Sequence, residues 1–351
     1  MITRELRHAL RRALAAHGFP AGTDPGLRPT GTPGQYAASV ALALGANPRE
    51  TATALAATLI HEDWIRTAEV TGPGYLTITV TPEALAAVAG TVTAEGPACV
   101  TSDALAGVTV PAAPQGDPLA APTWEKARAA LAARLTARLA AAAGATLAEP
   151  ASSERNRLTL PAHPSSPGPD LAAAVAFAGR DAVLFTLARA VPGQPLRVDQ
   201  AIIARHVLGN PAYAVRYAHA RAASGVRWAA ASSPADTIGS GEAPQPALVD
   251  PPELLASGGY GGSPPRKTTA LLDALSWLPE RVATAARRGR PDEFARYLED
   301  LASVTVDVLS SARHPGSAAA PGSDRLTLAI AARTGLAAGL GLLEVAAPDR
   351  L

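Results

Sequence analysis

Asn210-Pro211-Ala212-Tyr213-Ala214-Val215-Arg216-Tyr217-Ala218-His219-Ala220-Arg221 is the stretch on which the reading of this chain turns. It lies in a run, 200–231, whose composition predicts helix. Arg216, Arg221 and Arg227 fall here with Tyr213, Tyr217 and Trp228 interleaved. That combination of charge and flat rings is what single-stranded RNA recognition uses. The same residues also fit a packing role, with Tyr213, Tyr217 and His219 in a helical core and Arg216 and Arg221 exposed or paired.

Further helices are predicted on both sides of this run, over 170–190, 267–289, 291–314 and 323–343, which makes a bundle. A second arginine group, Arg281, Arg287, Arg288 and Arg290, closes one of them. Residues 232–266 hold Ser, Pro and Gly with few apolar side chains and read as a flexible insertion. Upstream, 124–148 is a helical Ala/Leu/Arg run, while 96–122 and 149–169 read as linker. The N-terminal part is different in kind. Residues 1–19 predict a helix with Leu6, Leu10 and Leu14 on one face and a solvated arginine face at Arg4, Arg7 and Arg11. After the breaker-rich stretch 22–34, a second helical run carries Val40, Ala41 and Leu44. Asn47-Pro48-Arg49-Glu50 starts a third helix, running to about Ile65. Tyr75-Leu76-Thr77-Ile78-Thr79-Val80 alternates as a strand after a Gly-Pro-Gly turn, closing a small α+β module near residue 95.

The 351 residues suit two modest domains. With 31 Lys+Arg against 30 Asp+Glu, there is no global basic excess, so any nucleic-acid contact must be local. Cys99 is the single cysteine, which excludes an intramolecular disulfide and a CxxC centre and makes a reducing cytoplasm the simplest compartment. No apolar run reaches the roughly 20 residues that span a bilayer, and the N-terminus reads as a polar helix rather than a signal sequence. No membrane is expected as a partner. Chemical motifs fail on inspection. Gly261 with Arg266-Lys267-Thr268 lacks the second glycine of a phosphate loop, and Pro264 and Pro265 remove amide donors. His61-Glu62 lacks a second histidine four residues on, where Ile65 stands. No metal, cofactor or catalytic triad is expected.

The dodecapeptide 210–221 resembles the Asn-Pro-x-Tyr-x-Val-x-Tyr-Ala-His-Ala-Arg signature that opens the anticodon-binding domain of arginyl-tRNA synthetases. Around it, Gly179-Arg180-Asp181-Ala182 is similar to the family's Gly-x-Asp-Ala element, and Arg296-Tyr297-Leu298-Glu299-Asp300-Leu301-Ala302 to its Arg-Tyr-Leu-x-x-Leu-Ala helix. Gly339 to Leu351 resembles the family's C-terminal segment. Gly34-Gln35-Tyr36, Asn47-Pro48-Arg49-Glu50 and Gly72-Pro73-Gly74-Tyr75 resemble its additional N-terminal domain, which in that family touches the tRNA elbow. The resemblance implies a mainly α protein with three parts. These are a synthetase-like α+β module at 1–95, a linker with a remnant helix at 96–169, and a DALR-type helical bundle at 170–351 of the class I synthetase anticodon-binding kind.

Between the modules the family carries a nucleotide-binding domain with a His-x-Gly-His motif and a Lys-Met-Ser-Lys-type loop, and neither is in this sequence. The expectation is therefore a non-catalytic paralogue, of the kind found in actinobacteria, that binds tRNA, with tRNA(Arg) as the family's cognate, or another structured RNA. It would act without a cofactor through Tyr75 in the first module and Tyr213, Arg216, Tyr217, Arg221 and Arg296 in the bundle. A protein-interaction scaffold that has lost RNA binding is the alternative. An active arginine-tRNA ligase is the reading that family membership alone would suggest. Three substitutions touch recognition: Thr77 replaces an asparagine, Leu184 an arginine and Leu351 a terminal methionine.

Overall fold

The structure, a computed structural model, describes residues 1–148, 170–232, 266–310 and 323–351, except positions 21, 46, 114 and 197. The expected insertion at 232–266, apart from its two end residues, and the tract 149–169 lie outside the described residues.

Helix α1 (Ile2–Ala16) forms where the leucine spacing places it, with Leu6, Leu10 and Leu14 fully buried. Each such side chain contributes about 1.5–3 kcal/mol by leaving water. The expected solvated arginine face is not solvated. Arg7 is 1% exposed and bonds the carboxylate of Glu280, itself buried, while Asp24 accepts from its other Nη at 2.9 Å. Arg4 bonds Glu95, and Arg11 bonds Asp103 at 2.7 Å. A guanidinium can be buried only when carboxylates replace its water, and the partners lie up to 273 positions away in sequence. No local pattern could announce them.

Four antiparallel strands, β1 (Leu27–Pro29), β2 (Gln35–Ala38), β3 (Ile65–Thr71) and β4 (Tyr75–Val80), lie in the order β1-β2-β4-β3. β4 is the predicted strand: Leu76, Ile78 and Val80 point inward, and Tyr75, Thr77 and Thr79 outward. β1 falls in the stretch read as breaker-rich, β2 in the second helical run, and β3 begins at the expected end of the third helix. β2 and β3 are rich in alanine or threonine and are decided by pairing with β4, while β1, three residues long, pairs with β2. Helix α2 (Val40–Ala43) is a single turn and α3 (Pro48–Leu59) ends earlier than expected, because Ile65 begins β3. Gly74, at φ 141°, ends the β3–β4 turn against α3, where a Cβ would stand 2.8 Å from the Pro48 backbone. Helix α4 (Pro82–Glu95) is capped by Thr81, whose hydroxyl accepts from the Ala84 amide.

The described part of the expected linker is packed. A 3-10 turn, Gly96–Val100, buries Cys99 and Val100. Burial pushes the Cys99 thiol up to about 12, far from reactivity. Strands β5 (Thr109–Pro111) and β6 (Thr146–Ala148) pair in parallel across helix α5 (Trp124–Ala142). Leu131, Leu135 and Leu139 bury α5.

The bundle comprises α6 (Leu171–Ala178), α7 (Arg180–Arg189), α8 (Gln200–Ile203), α9 (Pro211–Ser232), α10 (Arg266–Ser276), α11 (Leu278–Arg288), α12 (Pro291–Ser310) and α13 (Ser323–Leu342). The helix expected over 170–190 breaks at Gly179, φ 85°, where α6 and α7 bend by 119°. The helix expected over 200–231 is likewise two, separated by the 204–210 loop. The one expected over 267–289 is α10 and α11, which part at Trp277. Among the described residues no single helix is long and apolar enough to cross a membrane. α13 packs on α9 and α12 and also on α4 and the 96–100 turn, so it ties the bundle to the N-terminal module. Its glycines permit the approach. A Cβ at Gly339 would stand 2.5 Å from Leu298, and one at Gly335 would stand 2.8 Å from Leu275.

A polar seam completes the docking. Thr3 Oγ1 donates to the Ser276 carbonyl at 2.7 Å, Tyr36 and Ser276 hydroxyls share a bond at 2.8 Å, and the Gly34 amide donates to Asp273 at 2.9 Å. The Tyr36 and Trp277 rings lie 5.2 Å apart. Burial raises Asp273 to about 6 despite these donors and Arg281.

Candidate RNA-binding surface

Asn210 sets the geometry of the signature helix. It is 4% exposed, and its Nδ2 donates to the carbonyls of Ile203 and Arg205, both at 2.8 Å, closing the loop that leads into α9. Pro211 then opens the helix, where its missing amide costs nothing. Val215, Ala218, His219 and Ala222 face the core.

Tyr213 and Tyr217, four residues apart, stack at 5.7 Å with a 24° angle between planes. His206, from the preceding loop, stacks on Tyr213 at 5.3 Å and 10°. The tyrosines are half-buried and His206 is exposed, which makes a three-ring ladder with one end in water. His206 was not singled out in the sequence. Its stacking depends on the Asn210-braced loop, which periodicity does not reveal. The tyrosines pack on one side and present ring surface on the other.

Arg216, on the same strip of α9, is 25% exposed, and its Nη2 lies 3.4 Å from Asp181 Oδ2. Asp181 also accepts from the Ala346 amide at 3.2 Å, so the Gly-x-Asp-Ala element fastens α9 to the C-terminal tail. Arg221 is half-buried and lines a separate cavity of about 170 Å³ with Gly225, Trp228 and Leu326. His219 is buried, and its Nδ1–H donates to the Pro348 carbonyl at 2.9 Å. Burial holds its pKa below the usual value, although that hydrogen bond opposes the shift. Arg227 and Arg333 reach Asp349, so the tail is held from three directions.

Arg296, on α12, is 44% exposed with Asp292 at 4.0 Å. It lines a second cleft, of about 520 Å³, whose wall includes Asn210, Pro211 and Ala212. Tyr75 is 39% exposed on the outer face of the sheet, in the N-terminal module and not in the bundle. Thr77 shares that face, its hydroxyl 3.3 Å from that of Thr71. In register across the sheet, Arg28 pairs with Ala37, and Ala37 and Glu69 both pair with Thr77. Tyr75 thus lies apart in the N-terminal module; Tyr213, Arg216 and Tyr217 share a strip of α9, while Arg221 lines one cavity and Arg296 another.

The second arginine group has a structural occupation. Arg287 pairs with Asp24 at 2.9 Å, Arg288 with Glu293 at 3.0 Å and Arg290 with Asp292 at 2.7 Å. Arg281 lies over the Trp277 and Tyr297 rings at 5.6 and 5.5 Å. Leu184 is fully buried in α7, and Leu351 is 56% exposed.

Residues 3–80 match the family described as the arginyl tRNA synthetase N terminal domain, and residues 215–351 match the DALR anticodon binding domain. An arginine–tRNA ligase of Acidithiobacillus ferrooxidans is 32% identical over 177 residues, which is 49% of this chain and 27% of that protein. One of Frankia alni is 35% identical over 177 residues, 49% of this chain and 29% of that protein. The chain therefore covers under a third of the length of these relatives. The solved arginyl-tRNA synthetase of Thermus thermophilus aligns at 20% identity and a TM-score of 0.37, covering 100% of this chain and 59% of that one.

Proposed function

From the premise that this chain is an arginyl-tRNA synthetase-related protein of the DALR anticodon-binding type, we propose that it binds tRNA in the cytoplasm without charging it. Residues 1–95 and 170–351 are the two recognition domains. The observation that carries this reading is the α9 strip, where a His206–Tyr213–Tyr217 ring ladder stands beside Arg216 and Arg221. Unpaired bases stack on such rings, and guanidinium groups hold the phosphates between them. Tyr75 and Thr77 supply a second, nearly neutral contact surface at the elbow. Thr77 offers a hydroxyl where an amide would present both donor and acceptor to a base edge, so we propose tRNA at large as the partner rather than tRNA(Arg) alone.

The absence of the His-x-Gly-His and Lys-Met-Ser-Lys-type motifs from the sequence supports a non-catalytic role. Adenylate formation needs cationic donors on the phosphates in the transition state. The test is a mobility-shift titration against total tRNA and tRNA(Arg) at two salt concentrations, with arginine charging assayed in parallel. Salt-sensitive binding without charging is expected. Charging at a synthetase-like rate would overturn the non-catalytic assignment, and no binding at low salt would overturn the tRNA assignment.

A second reading, an interaction scaffold with a protein partner, is favoured by one observation. Phe177, Ile202, Val207 and Leu208 are each at least 50% exposed around α6 and the α8–α9 loop. Failure of RNA binding would direct attention to that face.

A further inference from the structure

The cleft of about 520 Å³ between α5, α7, the start of α9 and α12 is within the size range of small-ligand sites. Three arginines from three separate helices line it: Arg128 of α5, Arg189 of α7 and Arg296 of α12. Arg128 and Arg189 are each fixed through part of the guanidinium, and Arg296 has a carboxylate nearby. Arg128 Nη1 donates to the Gln194 carbonyl at 2.6 Å, Arg189 Nε to Glu299 at 2.6 Å, and Arg296 Nε lies 4.0 Å from Asp292. A guanidinium carries five N–H donors, so one such bond orients the group and leaves others for a ligand. Asp292 is also claimed bidentately by Arg290 at 2.7 Å. The balance around the cleft is therefore cationic. Pro211 and Ala212 place the positive end of the 22-residue helix α9 at the same wall. Leu196, Ile202 and Ile203 give the cleft an apolar side.

We propose that this cleft is a site for a nucleotide, its phosphate held by Arg128 and Arg296 and its base or sugar lying against Leu196 and Ile202. Arginine forks that converge from separate helices suit the tetrahedral oxygens of a phosphate better than a planar carboxylate, which one fork satisfies. The apolar wall and the volume call for more than a bare anion. Helix α5 lies in the sequence between the two family matches, so Arg128 comes from a part of the chain that neither match includes. The site is thus a composite of that helix and the bundle. It does not depend on tRNA binding, because its occupant can be a free nucleotide or one nucleotide of a bound RNA.

The experiment is isothermal titration of the full chain with 5′-AMP and, separately, with inorganic phosphate at low salt. Saturable AMP binding is expected, at least about tenfold tighter than phosphate. Arg128→Gln and Arg296→Gln should each weaken it by about tenfold or more, the loss of a charge-assisted pair of bonds. Arg128→Lys should fall between, and Arg49→Gln, on the far module, should leave it unchanged. Circular dichroism of each variant separates site loss from unfolding, and Arg128→Lys serves if Arg128→Gln does not fold. Displacement of AMP by tRNA identifies an RNA nucleotide as the occupant, whereas simultaneous binding identifies a free one. No saturable binding by about 5 mM AMP, or AMP affinity unmoved by either glutamine variant, overturns the proposal, and neither result bears on tRNA recognition along α9.

Discussion

Replacing Arg7 with methionine should destabilise the protein far more than any exposed arginine would. Arg7 is 1% exposed and Glu280 is 4% exposed, and the two carboxylates that hold Arg7 come from opposite sides, Asp24 from the N-terminal module and Glu280 from α11. Burial by itself would lower the Arg7 pKa, but Glu280 and Asp24 more than offset this and raise it. Methionine fills much of the same volume and carries no charge, so among the described residues the Glu280 carboxylate keeps just the Thr284 hydroxyl, at 3.4 Å, as a hydrogen-bond partner. Breaking a buried pair in this way costs about 3–5 kcal/mol. Asp24 contributes little to that loss, because it is partly exposed and keeps Arg287 at 2.9 Å. The assay is urea unfolding followed by circular dichroism and by the fluorescence of the four tryptophans, Trp277 at the seam among them. A matched double variant, Arg7→Met with Glu280→Leu, should recover most of the stability, since no charge is then stranded. A loss below about 1 kcal/mol for Arg7→Met, or a double variant as unstable as the sum of the singles, would refute the argument that the pair is a buried structural link.

Asp273 gives a pH prediction. Its folded pKa, about 6, lies above the 3.8 of the free side chain, so the folded state holds the proton more tightly. The stability it contributes is present at low pH and is lost as pH rises from about 4 to 6. Wild type minus Asp273→Asn should therefore fall by up to about 3 kcal/mol across that window and stay flat above it, and a difference that rises with pH would contradict the assignment. Gly74→Ala should destabilise by about 1–3 kcal/mol through a strained φ and the clash with Pro48, read as a lower urea midpoint. In tRNA binding, Arg221→Ala should reduce the slope of log affinity against log salt by about 0.9. Arg216→Ala should reduce it by less, because Asp181 already partly neutralises that charge. Equal losses would show that Asp181 does not hold Arg216 in solution. Tyr213→Ala should weaken tRNA binding by about 1–3 kcal/mol without changing the salt slope.

Elements whose chemistry is local can be read directly from the order of residues. β4 alternates over six residues, and α1 repeats leucine every fourth position, so each could be read without knowing what it touches. Helix α3 starts at its Asn-Pro signal, which acts within one turn, and α5 follows from a run of strong helix formers. The signature 210–221 belongs to the same class, because Asn210, the tyrosines and Arg216 all lie on a single helix or at its cap. The remaining features depend on contacts between residues far apart in the chain. Strands without a clear alternation take their identity from a partner, so β2 and β3 are settled by pairing with β4, and β1 by pairing with β2. An arginine's exposure depends on whether a carboxylate meets it. Arg7, Arg287 and Arg290 look like any basic surface residue in the sequence, yet each is held by a carboxylate in the folded chain. The same holds for the candidate sites. The tyrosine ladder needed His206 from a loop, and the arginine cleft needed helices 5, 7 and 12 to converge. Alanine-rich helices carry little information about which neighbour they choose, because alanine fits any face, so convergence of that kind is settled only by packing.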